Sequence, residues 1–131
     1  MLRIDQLPPI LELASMNEVH KEETELITQL HKVAQEKNNE LTLELLNKLI
    51  THTKQHFSSE EKLMLDVDYP DYHSHKHEHM KQLLDLQSIL SFYEMTNDTT
   101  AVYKYLEDSL TPWIIEHVYN WDIPASEYIN Q

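Results

Sequence analysis

The 131-residue sequence contains no glycine. Glycine reaches positive φ at the lowest cost, so without it tight hairpins, phosphate-cradling loops and dinucleotide-binding turns are poorly served. Helices joined by polar connections are favoured instead. Cysteine is absent too, which excludes disulfides, thiolate zinc sites and cysteine-held iron–sulfur clusters. Any metal must then be held by nitrogen and oxygen. Basic residues are scarce, with 10 Lys and Arg against 23 Asp and Glu and a formal net charge of −13. No local cluster of lysine and arginine offsets that charge, so neither nucleic acid nor an anionic membrane is expected as a partner. Long apolar runs are missing as well. Nothing approaches the roughly 20 residues that span a bilayer, and the opening "MLRIDQLPPILEL" lacks the apolar run of a signal peptide. A soluble cytoplasmic protein is the expectation, built as one domain over residues 1–131.

Histidine is what the chain does have, nine in all, four of them alternating in "DYHSHKHEHMKQ" (residues 71–82). A period of two suits a strand and 3.6 suits a helix. The residues that follow decide between them. Helical steps from His75 and His79 lead to Leu83, Leu86, Leu90 and Tyr93, whereas steps from His73 and His77 lead to Met80, Leu84, Gln87 and Ser91. The first series keeps an apolar face, so His75 and His79 are the inward pair of a helix, with His73 and His77 at its solvent edge.

The same periodicity predicts helices over 13–37, 40–65, 72–95 and 99–122, after a leader over 1–12 closed by Pro8 and Pro9 and before a tail over 123–131. Their apolar stripes run Met16, Val19, His20, Ile27, Leu30, Ala34, then Leu45, Leu49, His52, His56, Glu60, Leu63, and finally Tyr103, Leu106, Leu110, Trp113, His117. Pro112 is expected to kink or restart the last helix. Four amphipathic helices with short connections imply an all-α, antiparallel up-down-up-down four-helix bundle.

Alternating direction brings His20, His56, Glu60, His75, His79 and His117 to one end of that bundle. Buried imidazoles without partners each cost on the order of 1–3 kcal/mol. A metal removes that cost. Five imidazoles with Glu60 exceed the needs of one four-coordinate zinc and suggest a dinuclear centre. Asp122 is the further carboxylate expected, but five steps on a straight helix turn it about 140° from His117. It joins only if the helix widens there, and Pro124 predicts an ending at that point. His31 and His52, a turn or more away, are expected to support the centre or sit at the surface.

These residues together resemble the haemerythrin-like family, in particular short bacterial haemerythrins. The resemblance rests on "NEVHKE" around His20, "HFSSEE" with His56 and Glu60, "YPDYHSHKHEH" with His75 and His79, and "WIIEHVYNWD" with His117 and Asp122. It implies two iron ions, one on His75, His79 and His117 and the other on His20 and His56, bridged by Glu60, Asp122 and an oxo or hydroxo group. It also implies reversible dioxygen binding at the iron with two imidazoles, for oxygen transport, storage or scavenging, and no catalytic role. Trp113 and Ile114 are the expected lining of the oxygen pocket, with plain core packing as an equal alternative. The chain departs from the family in Asn17, where an aspartate is frequent, in Ile114, where leucine is common, and in Pro112. Two other functions stay open: a di-iron oxidoreductase acting on O2, peroxide or nitric oxide with an outside reductant, and an oxygen, redox or iron sensor. The paired Glu-x-x-His of ferritin-like oxidases and the His-Glu-x-x-His of zinc peptidases do not occur.

Overall fold

The computed structural model describes residues 14–130, with side chains from Glu18 onward. The expected leader, the helix start at 13 and the side chains of Met16 and Asn17 lie outside the described residues. Helix α1 spans Ala14–Gln35, α2 Asn39–Asp66 and α3 Tyr72–Thr96. A fourth helix occupies residues 99–129. It is α-helical over Thr99–Tyr105, Thr111–His117 and Ile123–Ile129, with π turns at Leu106–Leu110 and Val118–Asp122 between those segments. The described residues contain no strand. α1 and α3 each pack against α2 and against the start of the fourth helix, giving an all-α, up-down-up-down bundle.

The first three helices close without glycine, so another residue takes the left-handed conformation at each end. Lys37, Asp68 and Asn97 do so, with φ of 60°, 52° and 52°. After α1, Asn38 N–H donates to Val33 O at 3.0 Å and Lys37 N–H to Ala34 O at 3.1 Å. After α2, Tyr69 N–H donates to Met64 O at 2.9 Å and Asp68 N–H to Leu65 O at 3.2 Å. Both are Schellman closures. α3 ends on the simpler bond from Asn97 N–H to Tyr93 O at 2.7 Å. The next helix then starts at once, since Asn38 Oδ1 accepts from Leu41 N–H at 3.0 Å and Asp98 Oδ1 from Ala101 N–H at 3.1 Å.

The fourth helix corrects one expectation. Residues 123–129, expected as a tail, are helical, and Pro124 does not end the helix. Proline lacks an N–H and its ring collides with the carbonyl four residues back. Here each proline follows a π turn: Pro112 comes after Leu106–Leu110 and Pro124 after Val118–Asp122. In those turns Thr111 N–H and Ile123 N–H donate five residues back, to Leu106 O and Val118 O. The widened backbone makes room for each ring. Thr111 Oγ1 adds a second donor to Leu106 O at 2.8 Å. Pro112 therefore sits within a continuous helix.

The bundle has two unlike halves. One is apolar, formed by Ile27, Leu30, Leu46, Leu49, Leu86, Val102, Leu106 and their neighbours, all buried. Each such side chain contributes about 1.5–3 kcal/mol of burial. Tyr93 closes it at the far end, its hydroxyl donating to Asn39 O at 3.0 Å. The other half holds the histidines. His75 and His79 are both 0% exposed, while His73 and His77 face solvent, as the helical steps require. Met80 and Leu84 are 54% and 63% exposed, so the outer face of α3 is not a polar one.

Candidate metal centre

Three spacings build the site. His56 and Glu60 are one turn apart on α2, and His75 and His79 one turn apart on α3, so each pair shares a face. His117 and Asp122 are five apart, and the π turn Val118–Asp122 between them supplies the extra width. His117 Nε2 and Asp122 Oδ1 are 3.0 Å apart as a result. His20 reaches in from α1, its Nε2 3.1 Å from Asp122 Oδ2. All seven residues meet at one end of the bundle.

Their donor atoms fall into two overlapping groups. One is Glu60, His75, His79, His117 and Asp122, and the other is His20, His56, Glu60 and Asp122. Within each group one ligand atom per residue lies within 4.8 Å of the others. The two carboxylates divide their oxygens between the groups. Asp122 turns Oδ1 to His75 Nε2 at 3.1 Å and to His117, and Oδ2 to His20. Glu60 turns Oε1 to His75 Nε2 at 3.5 Å and His79 Nε2 at 3.4 Å, and Oε2 to His56 Nε2 and to His20 Nε2 at 3.8 Å. That division is what two bridged cations require.

The interior of the cage is not satisfied by hydrogen bonds. Glu60 Oε1, Asp122 Oδ2 and His79 Nε2 are buried and make none. His75 Nε2 and His117 Nε2 point at each other across 3.2 Å. Lone pairs converging on one buried point are unfavourable unless a cation sits among them. Nitrogen and carboxylate oxygen in this ratio suit a first-row transition metal such as iron, so the residues present fit a metal of that kind.

From outside the cage, two more carboxylates steer the rings. Glu23 Oε2 accepts from His56 Nδ1 at 2.6 Å, and Glu61 Oε2 accepts from His79 Nδ1 at 2.9 Å. A proton held on Nδ1 leaves the Nε2 lone pair directed inward and makes it a stronger donor. Phe57 lies flat on His79, centroids 3.8 Å apart and planes 2° from parallel, and Trp113 stacks on His117 at 4.4 Å. Trp121 approaches His75 at 5.7 Å. Ile114 is buried in the apolar core one turn before His117.

Charge confirms the cage's appetite for cations. Burial disfavours an imidazolium at His20, yet the Asp122 and Glu60 carboxylates facing it outweigh that cost and hold the pKa at about 9. His75 is likewise raised to about 9 against burial, again by Asp122 and Glu60. His56 is raised against burial by the charges of Glu60 and Glu23. Glu23, though buried, is held down at about 2 by His56 and His52. Burial pushes Glu60 and Asp122 up, but the surrounding imidazoles keep both well below the usual carboxylate range. Positive charge is thus favoured inside, as protons where no metal is bound.

Sequence reasoning missed Glu23, Glu61, Phe57 and Trp121. Glu23 carried a signal, lying three residues after His20 and four before Ile27 on the inward stripe of α1. Glu61 carried none. His52 reaches Glu22 Oε2 at 3.3 Å and Glu23 Oε2 at 3.5 Å, beside the centre but outside it. His31 lies away from it, paired with Glu107 at 2.8 Å and stacked on Tyr103.

Residues 12–122 match the family described as "Hemerythrin HHE cation binding domain". A protein of Aquifex aeolicus (strain VF5) called Bacteriohemerythrin is 27% identical over 114 residues, 87% of this chain and 87% of that one. A Pseudomonas aeruginosa (strain LESB58) protein of the same name is 29% identical over 103 residues. That match covers 79% of this chain and 65% of the relative's length. No solved structure matches the chain. Because the family match runs through every one of the seven converging side chains, from His20 to Asp122, the chain belongs to the haemerythrin family.

Proposed function

We propose that the cage holds two iron ions, bridged by Glu60, Asp122 and an oxo or hydroxo group, and that the protein binds dioxygen reversibly as a carrier, store or scavenger. One observation carries the reading: two carboxylates share their oxygens between a group with three imidazoles and a group with two. The second group, with His20 and His56, is the one with room for an added ligand. Four carboxylates, Glu60, Asp122, Glu23 and Glu61, surround the pair. Their negative charge favours bound cations. A ferrous pair bound there supplies the two electrons that holding dioxygen requires and recovers them on its release.

The chain's own part is to orient the ligands and exclude water. Glu23 and Glu61 fix two of the rings. Phe57 and Trp113 lay apolar faces over His79 and His117, and Ile114 is buried in the apolar core one turn before His117. A dry surrounding keeps protons and outside reductants from bound oxygen. The test is to reduce the iron-loaded protein without air, admit oxygen, then remove it. A visible band that appears with oxygen and disappears on its removal, with the ferrous state regained, supports the carrier. Irreversible oxidation on the first exposure would reject it.

A second reading, an oxidoreductase acting on O2, peroxide or nitric oxide, has one observation in its favour. His52, partly exposed, touches Glu23, which touches His56, forming a continuous polar line from solvent to the cage. An enzyme with this route consumes its substrate continuously when given a reductant, and His52→Ala slows it. A carrier shows neither effect.

A further inference from the structure

The histidine run holds two members that the buried centre does not use. His73 and His77 are exposed on α3, four residues apart, and Met80, three residues further and 54% exposed, continues the same stripe. Residues three and four apart on a helix have Cβ atoms about 5–6 Å apart, so two imidazoles and a thioether converge on one patch of surface. This is the spacing at which paired helical histidines chelate a metal.

The surroundings leave the patch available. Among the described residues no hydrogen bond engages either ring, and the one ring contact is His73 against Tyr72 at 5.1 Å. Two lysines lie nearby, and both are turned elsewhere. Lys76 Nζ sits over the Tyr72 ring at 5.8 Å, and Lys81 Nζ meets Glu78 at 3.5 Å. A net charge of −13 draws cations to the molecule.

The donor set selects the metal. Neutral imidazoles rank Cu2+ above the other first-row divalent ions, and a thioether favours Cu+. No carboxylate takes part, which disfavours magnesium and calcium. We propose that His73, His77 and Met80 form a second metal site, on the outer face of α3 and separate from the buried cage, that takes a single copper ion.

The test uses iron-loaded, air-oxidised full-length protein, so that the cage is already filled, and Cu2+ alone as the probe. One equivalent of Cu2+ is expected beyond the iron, with two nitrogen ligands in its paramagnetic spectrum and no iron released. His73→Ala and His77→Ala should each weaken it by about tenfold or more, because the second donor no longer acts at high local concentration. His31→Ala, which removes a histidine lacking such a neighbour, should bind as the parent does. Both positions are exposed, so folding is not at stake. Met80→Leu should spare Cu2+ but lower Cu+ affinity severalfold against a coloured cuprous chelator. Undiminished binding in either single histidine variant, or copper uptake matched by iron loss, would overturn the site. Unchanged Cu+ affinity in Met80→Leu would remove the thioether from it.

Discussion

Glu23 is the sharpest place to perturb the centre without touching a residue of the cage. Its Oε2 accepts from His56 Nδ1 at 2.6 Å and lies 3.5 Å from His52 Nδ1, in a buried position. Glu23→Gln keeps the shape and an acceptor oxygen but removes the charge. A charge-assisted hydrogen bond is roughly twice as strong as a neutral one, so the loss is about 1.5 kcal/mol, or roughly tenfold in metal affinity. That falls at the low end of the range for carboxylates that back a ligating histidine. The loss should fall on one ion, because His56 belongs to the group with two imidazoles. Glu61→Gln is the internal comparison. Its bond to His79 is 2.9 Å and its side chain is 20% exposed, so water substitutes for part of what is lost, and two other imidazoles remain. Its effect should be a few-fold at most. Metal release to a graded chelator, read as ions per chain, should show two steps in Glu23→Gln and a profile near the parent's in Glu61→Gln. If Glu61→Gln were the more damaging of the two, or if both left the profile unchanged, the division of the cage into unequal groups would be wrong.

Glu60→Ala removes oxygens that face four imidazoles, and should leave no more than one ion per chain by elemental analysis while the fold survives in the apolar half. The metal-free protein should lose stability as pH rises. With His20 and His75 at about 9 in the folded chain against an ordinary value near 6.5, their contribution is fully present below about 6.5 and is lost through 9. Denaturant midpoints across pH 6–10 check the direction. Metal affinity should run the other way and keep climbing to about pH 9, since those protons must leave first. Lys37→Gly should stabilise by about 0.5–1 kcal/mol, the relief of a left-handed lysine less the added freedom of the unfolded chain. Thermal melting detects it as a rise of a few degrees, and Asn97→Gly should gain less.

Spacing made the cage legible. Four-residue intervals place His56 with Glu60 and His75 with His79 whatever else the chain does, and the continuation of the α3 stripe separates the buried pair from its exposed neighbours. The five-residue step from His117 to Asp122 was informative because it does not fit an α-helix, and it demanded the wider turn that is there. Pro124 misled for a related reason. The rule that proline ends a helix assumes an α-helical carbonyl four residues back, and the π turn moves that carbonyl away. Glu61 was invisible because a carboxylate beside Glu60 reads as one more solvated charge on an acidic chain. Helical steps from His73 and His77 already put Met80 and Leu84 on the outer face of α3, but the exposure of Phe92 and Met95 carried no signal, because apolar periodicity assigns such residues to the interior.

The paired wide turns have a consequence for how this molecule can change. Each inserts an additional residue into an otherwise regular spiral, and one residue is worth about 100° of rotation. Dropping one residue inside either wide turn would close it to a regular α turn, so the bulge absorbs the change and the helix beyond it keeps its facing. With one residue lost from 118–121, the last two ligands would stand four apart, the interval that already keeps His56 with Glu60, and Asp122, Ala125 and Ser126 would stay in the interior. Lineages descended from this chain can therefore shed a residue at either wide turn as well as in its three connections, whereas the α-helical segments between and beyond those turns tolerate no such loss.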